Sequence, residues 1–163
     1  MSNDNTIKNL NKALQMEMAA AHQYQLNAQR LDDWGLVKLA NQMREEMQEE
    51  LGHSDRFIER ILFLKGVPEL AFQKSPILHD SLVELLKTDL ADEEDAISVY
   101  TKASKEAYEV GDIGTKALFE EIVIDEEGHK AWLELQLDLI ERLGEKTYSS
   151  KLISVGSDAE GEG

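Results

Sequence analysis

Apolar residues recur at steps of three and four along four long stretches of the chain, the spacing that places them on one face of a helix. The stretches are residues 4–33, 36–64, 80–110 and 113–143. All four are rich in Ala, Leu, Glu, Lys and Gln, which favour helices, and contain few β-branched residues. The pattern therefore predicts four long helices.

The breaks between the stretches predict how the helices are connected. Trp34-Gly35 separates the first two and Gly111 separates the last two, so each pair is joined by a tight link. The two prolines, Pro68 and Pro76, both lie in the long segment between the pairs, KGVPELAFQKSPILHD. Two helical hairpins joined by one long crossover are typical of a four-helix bundle. We therefore predict an all-α fold.

A short fifth helix is predicted for residues 145–153, after Gly144. Because it is too small to stand alone, we expect it to pack against symmetry-related subunits at an axis of an assembly. Residues 154–163 end in the acidic sequence DAEGEG and are predicted to be a disordered tail. The bundle with its short helix thus occupies residues 1–153.

Composition and charge narrow the class of partner. The formal net charge of −16 argues against nucleic acid, because phosphate binding requires clustered Lys and Arg. The absence of cysteine excludes a zinc–thiolate site and thiol catalysis. We find no leader peptide and no apolar run of the ~20 residues needed to cross a bilayer. We therefore expect a soluble, cytoplasmic protein without a membrane partner.

Carboxylates interrupt each of the four predicted apolar faces near the middle, where apolar residues would be more stable. The first and third helices contribute single glutamates, Glu17 and Glu93, at these positions. Burying an ionised carboxylate is costly unless a cation compensates it. The faces therefore indicate a buried cation site.

The second and fourth helices contain a matched pair of motifs, ELGH at residues 50–53 and EEGH at residues 126–129. Residues three apart on a helix share a face, so the Glu and the His of each motif present two donors to the same space. Four carboxylates and two imidazoles suit iron or manganese, and six side chains suit two ions bridged by carboxylates. A bundle with buried ion pairs and no metal is the alternative. The six candidate ligands are Glu17, Glu50, His53, Glu93, Glu126 and His129.

Other polar residues near the motifs are expected to have different roles. His22 and His79 lie outside both motifs, and surface or helix-terminal positions are expected for them. Asp125 and Glu127 flank Glu126, but helical spacing points them to other faces.

The chain also resembles bacterioferritin, the bacterial branch of the ferritins, from residue 5 to about residue 150. The stretches DWGLVKLANQ, HSDRFIERILFLKGVPEL and DEEGHKAWLELQLDLIERLG carry the resemblance. It implies a ferritin-like four-helix bundle that assembles as a hollow cage of 24 subunits. It also implies that the cage takes up Fe(II), oxidises it with O2 or hydrogen peroxide, and stores a ferric mineral.

The resemblance assigns roles to residues of the dinuclear iron centre. It implies that Glu50 and Glu126 bridge the two irons. It implies that one iron is completed by Glu17 and His53, and the other by Glu93 and His129. Tyr24 matches a family position beside this centre, where it would hydrogen-bond a ligand or supply an electron. A core aromatic with a satisfied hydroxyl is the alternative for Tyr24.

Two further assignments follow from the resemblance. Glu45 and Glu49, four residues apart on the second helix, resemble an inner-surface iron site, and an ordinary solvated acidic face is the alternative. Leu51 occupies the position where the family commonly has a methionine that ligates haem between two subunits. Leucine has no donor atom. We therefore expect little or no haem b in a homopolymer, unless a haem-binding partner subunit supplies the sulfur.

Proteins of other functional classes have the same four-helix bundle. A peroxide-scavenging enzyme of the rubrerythrin kind commonly adds an iron domain held by four cysteines, which this chain cannot build. A Dps-like protective mini-cage usually brings ligands across a subunit interface and often has a basic tail, whereas this tail is acidic. Both remain alternatives to an iron-storing ferroxidase.

Overall fold

The computed structural model describes residues 3–156, which form helices joined by turns and one long crossover, with no strand among them. The long helices begin and end within two residues of the predicted stretches. None of the described helices is both long and apolar enough to cross a membrane. The helices are α1 (Asp4–Asp33), α2 (Val37–Phe63), α3 (Leu82–Glu109), α4 (Ile113–Leu143) and α5 (Glu145–Ser150).

The long helices form two hairpins, α1 with α2 and α3 with α4, which pack together through α1 against α3 and α2 against α4. Gly35 and Gly111 occupy the tight links with φ angles of 80° and 78°. A residue with a side chain would be strained in this left-handed conformation, so glycine permits the sharp reversal. Asp112 is the N-cap of α4, and its side chain accepts a hydrogen bond from the backbone N–H of Thr115. The predicted all-α four-helix bundle is confirmed.

The crossover, residues 64–81, runs alongside α1, and amide side chains of α1 hold it in place. Asn11 donates to the carbonyl of Val67 and accepts from the backbone N–H of Glu69, at 3.0 and 2.8 Å. Gln23 makes the same pair of bonds with Ile77, both at 2.8 Å. These bonds satisfy backbone groups that have no partner within a helix or strand.

The apolar core is divided into two clusters. One cluster is centred on Leu31, Leu39 and Leu85, and the other contains the rings of Phe57 and Phe119. All five side chains are almost completely buried. Between the clusters lies a layer of buried carboxylates and imidazoles, so each cluster closes one end of a polar chamber.

The fifth helix packs on its own chain. Tyr148 is 4% exposed and donates a hydrogen bond of 2.8 Å to Gln136 of α4. The helix ends at Ser150 rather than at residue 153. Ser154, in the part predicted to be disordered, donates its backbone N–H to Gly35 at 3.0 Å. Residues 157–163 of the predicted tail lie outside the described residues.

Candidate metal centre

The six candidate ligands meet in the middle of the bundle, in the polar layer between the two apolar clusters. Their exposed fractions range from 1% to 5%. Each long helix delivers at least one of them because each has a carboxylate at the same level of its buried face. The contributions are Glu17 from α1, Glu50 and His53 from α2, Glu93 from α3, and Glu126 and His129 from α4.

The imidazole of His53 points its Nδ1 atom at three carboxylates. This nitrogen lies 2.9 Å from Glu126 Oε1, 3.6 Å from Glu17 Oε1 and 3.9 Å from Glu50 Oε2. One ligand atom from each of these four residues lies within 4.8 Å of the others. Together they form a group of the size and composition that holds one metal ion.

The imidazole of His129 makes the corresponding arrangement on the other side. Its Nδ1 lies 2.9 Å from Glu50 Oε1, 3.5 Å from Glu93 Oε1 and 3.5 Å from Glu126 Oε2. These four residues form a second compact group. Glu50 and Glu126 belong to both groups, so the geometry suits two adjacent ions that share two carboxylates.

Two buried tyrosines hydrogen-bond to candidate ligands. Tyr24 donates to Glu93 Oε1 at 2.6 Å and so contacts a candidate ligand. Tyr100 donates to Glu17 Oε1 at 2.9 Å, a contact that we did not predict. Its sequence signal is the spacing, because Tyr100 follows Glu93 by the same seven residues that separate Tyr24 from Glu17.

The outer nitrogens of both imidazoles contact further carboxylates. His53 Nε2 lies 3.0 Å from Asp125 Oδ2. His129 Nε2 lies 2.6 Å from Glu49 Oε2 and 2.7 Å from Glu46 Oε2. Carboxylates at Nε2 fix the ring orientation and favour the tautomer that leaves Nδ1 free for a metal. Helical spacing did not reveal Glu46 as a neighbour of His129.

The expectation that Asp125 points away from the centre is wrong. Asp125 is half-buried at the junction of α2 and α4, where it reaches the ring on the neighbouring helix. Helical spacing describes one helix at a time and cannot identify such a contact. Glu127 is exposed, as expected. Glu45 is also exposed and makes no hydrogen bond or ion pair with the described residues, so only Glu49 of that pair contacts the centre.

Protons occupy the centre when no metal compensates its charge. Burial raises the pKa of Glu93 well above its ordinary value, and the neighbouring Glu126 raises it further. Burial alone would lower the pKa of His53, but its hydrogen bonds to Glu126 and Glu50 raise it to about 10. Burial is likewise outweighed at His129, whose pKa is raised by the surrounding carboxylates. In the metal-free chamber the protonated forms of Glu93, His53 and His129 are therefore favoured.

Three other residues considered in the sequence lie outside this centre. His22 contacts Gln25 and packs its ring against Phe72, with a centroid distance of 5.1 Å. His79 lies in the crossover, where its carbonyl accepts a hydrogen bond from Arg30. Leu51 is half-buried on α2.

Comparison with known proteins agrees with this architecture. A family model described as a ferritin-like domain matches residues 7–143. The bacterioferritin of Rhodobacter capsulatus is 43% identical over 143 residues, covering 88% of this chain and 89% of that protein. The bacterioferritin of Brucella melitensis is 39% identical over 154 residues, covering 94% and 96%.

Two solved structures share the fold over nearly their whole length. The R. capsulatus bacterioferritin, at 40% identity, superposes with a TM-score of 0.92 over 95% of this chain and 97% of that one. That structure has a metal-free dinuclear site and a haem iron in a crystallographic special position. The Mycobacterium tuberculosis bacterioferritin, at 34% identity, gives 0.91 over 94% and 97%. The chain therefore belongs to the ferritin-like family and, within it, to the bacterioferritins.

Proposed function

We propose that this protein is an iron-storage ferritin that oxidises Fe(II) at the buried centre between its four helices. The observation that carries the proposal is the pair of four-residue groups that share Glu50 and Glu126. One Glu from each of two helices and Glu-x-x-His from the other two is the arrangement that holds two metal ions in ferritin-like carboxylate proteins. The relatives named bacterioferritin support the same function.

The six residues divide between two iron positions. Glu17 and His53 complete the first position. Glu93 and His129 complete the second. Glu50 and Glu126 bridge the positions. Anionic oxygen ligands favour Fe(III) over Fe(II), because the more highly charged ion gains more from each carboxylate.

Iron enters this centre as the substrate. Two Fe(II) ions held side by side supply one electron each, so that O2 or hydrogen peroxide accepts two electrons in one encounter. The chain positions the ions and neutralises their charge. Tyr24 and Tyr100 hold Glu93 and Glu17 in place through their hydrogen bonds. The imidazoles give up their protons as metal binds.

The proposal extends to the assembly. We propose that the chain forms a cytoplasmic cage of 24 copies whose interior holds the ferric mineral. Because Leu51 provides no sulfur or nitrogen donor, the homopolymer binds little haem b, and a haem-binding partner subunit would supply the sulfur in a mixed cage. The net charge of −16 disfavours nucleic acid as a partner.

All six proposed ligands come from one chain, which separates this function from that of a Dps-like mini-cage. A peroxide-scavenging enzyme of the rubrerythrin kind would share the dinuclear centre but would not store mineral. Storage capacity therefore distinguishes the candidates better than oxidation activity does.

Native mass and iron content test the proposal together. A closed cage has a mass of about 440 kDa, from 18.4 kDa per chain. After aerobic addition of Fe(II), the cage should retain far more than two irons per chain, which the six ligands alone could not hold. A small oligomer that retains two irons per chain or fewer would contradict storage.

A further inference from the structure

A narrow cavity leads from the surface between α1, α3 and the crossover to the buried centre. Its volume is about 40 Å³, which accommodates about three water molecules. The inner end is lined by Glu17 and Glu93, each of which has a buried oxygen that accepts no hydrogen bond. Asp92 and Asp95 of α3 line the outer end. The cavity therefore connects surface carboxylates to unsatisfied buried ones.

The crossover forms one wall of this cavity and is fastened to α1 on both sides of it. On one side, the backbone N–H of Gln73 donates to the carbonyl of Gln15 at 3.1 Å. On the other side, Gln23 holds both backbone groups of Ile77. Where the cavity opens, α1 presents Ala19 and Ala20, which have no polar side chain to hold the crossover.

One ion pair spans the mouth of the cavity. Lys74 of the crossover donates to Asp92 of α3, and this is the only side-chain hydrogen bond that residues 74–76 make with the described residues. The Lys74 side chain is 54% exposed and that of Asp92 is 29% exposed. An ion pair in such contact with water is weak, so a competing cation can displace the ammonium group.

We propose that Asp92 receives hydrated divalent metal ions at the mouth of this cavity and that Lys74 limits their access. Two carboxylates, Asp92 and Asp95, attract a doubly charged ion more strongly than they attract a single ammonium group. The ion displaces Lys74, loses part of its water shell in the narrow cavity, and reaches the unsatisfied oxygens of Glu17 and Glu93. This inference rests on the proposed function because the cavity ends at the proposed ferroxidase centre.

Co(II) is a suitable probe because its visible absorption reports binding without oxidation. Anaerobic stopped-flow mixing at limiting Co(II) and low salt should give several-fold slower binding for Asp92→Asn. Binding should be several-fold faster for Lys74→Gln. Both differences should shrink in high salt, which screens surface charges. Lys116→Gln is the matched control, because it removes the same charge from a partly exposed pair with Glu120 on α4, and its rate should stay unchanged.

The amount of Co(II) bound at the end of the reaction separates two kinds of failure. If the unmodified protein takes up two Co(II) per chain but all three variants bind at its rate, Lys74 and Asp92 do not control access, and the proposed centre stands. If the unmodified protein binds no Co(II), the proposed centre is itself wrong and the access proposal fails with it. A Lys74→Gln variant that binds more slowly than the unmodified protein would also overturn the proposal.

Discussion

Tyr24 on α1 donates a hydrogen bond to Glu93 on α3, and Tyr100 on α3 donates one to Glu17 on α1. Tyr100 follows Tyr24 by 76 positions, and Glu93 follows Glu17 by the same number. The two hairpins are thus related by an approximate two-fold arrangement in which each positions a carboxylate of the other. Neither hairpin could form the centre alone.

The same exchange occurs at the outer nitrogens of the imidazoles. Glu49 of α2 contacts His129 of α4, and Asp125 of α4 contacts His53 of α2. Glu49 and Asp125 are again 76 positions apart. These four contacts join the hairpins at the centre, in addition to those of the imidazole Nδ1 atoms. We expect their loss to affect stability and metal binding together.

Replacing Tyr24 with Phe should lower the free energy of unfolding of the metal-free protein by about 1–3 kcal/mol, because a buried carboxyl group of Glu93 loses its donor. Urea unfolding followed by circular dichroism would measure the loss. Tyr108→Phe is the control, because Tyr108 is 62% exposed and contacts no carboxylate ligand. Equal stability of the Tyr24 and Tyr108 variants would show that the hydrogen bond has no net effect.

Replacing Glu126 with Ala should abolish rapid Fe(II) oxidation, because this carboxylate belongs to both four-residue groups. The assembled protein should remain intact, since the metal-free bundle loses a costly buried anion. Replacing Glu17 should have the same effect. Stopped-flow absorbance after aerobic mixing would measure the rate, with Glu127→Ala as the matched exposed control. Oxidation by Glu126→Ala at the unmodified rate would refute the assignment.

The ends of the helices and the candidate ligands could be predicted from the sequence, because both are visible in the repeat of apolar residues along a single helix. Gly35 and Gly111 end apolar repeats, and Glu17 interrupts one, so each is visible within a single helix. The contact between Asp125 and His53 depends instead on how two helices meet, which no single repeat contains. The crossover has no repeat at all, so the bonds that Gln23 makes with it could not be predicted.

Replacing Glu45 and replacing Glu49 should have different effects, although the resemblance assigns both residues to one inner-surface iron site. From the sequence we expect the double alanine variant to slow mineral growth and spare the first oxidation step. The contact of Glu49 with His129 Nε2 changes the expectation for Glu49 alone. Glu49→Ala should weaken Co(II) binding about 10-fold, because the carboxylate orients a ligand. Glu45→Ala should leave Co(II) affinity unchanged, as equilibrium titration would show.

Equal Co(II) affinities for both single variants would show that Glu49 does not contribute to metal binding at the centre. Slow mineral growth in Glu45→Ala, with normal initial oxidation, would support an inner-surface iron site at Glu45. Normal growth would assign Glu45 to an ordinary solvated face. Growth is followed by absorbance after repeated additions of Fe(II).

The metal-free protein should lose stability as pH rises from 6.5 toward 10. The pKa of His53 is raised from 6.5 to about 10, so the folded protein holds a proton that the unfolded chain releases in this range. The stabilisation is therefore complete below pH 6.5 and disappears as pH passes the folded-state pKa. The raised pKa of Glu93 acts in the same direction. The melting temperature should be higher at pH 6 than at pH 9.

Saturating Co(II) should reverse this trend, because metal replaces the protons and binds more tightly as the imidazoles deprotonate. His53→Gln provides the control, since it removes one titrating group and should reduce the pH dependence of the metal-free protein. A melting temperature that rises between pH 6 and pH 9 in the metal-free protein would contradict the proton-filled centre.

Haem content should depend on the side chain at position 51. Leu51 is half-buried on α2 and can line a haem pocket, but it offers no atom that ligates iron. Met47 lies about 6 Å away along the helix axis, too far to replace the missing ligand without moving the haem. The purified homopolymer should therefore show little Soret absorbance, and Leu51→Met should restore about one haem per two chains. Leu51→Ile controls for altered packing and should bind no more haem than the unmodified protein. A strong Soret band in the unmodified homopolymer would show that this protein ligates haem by another residue.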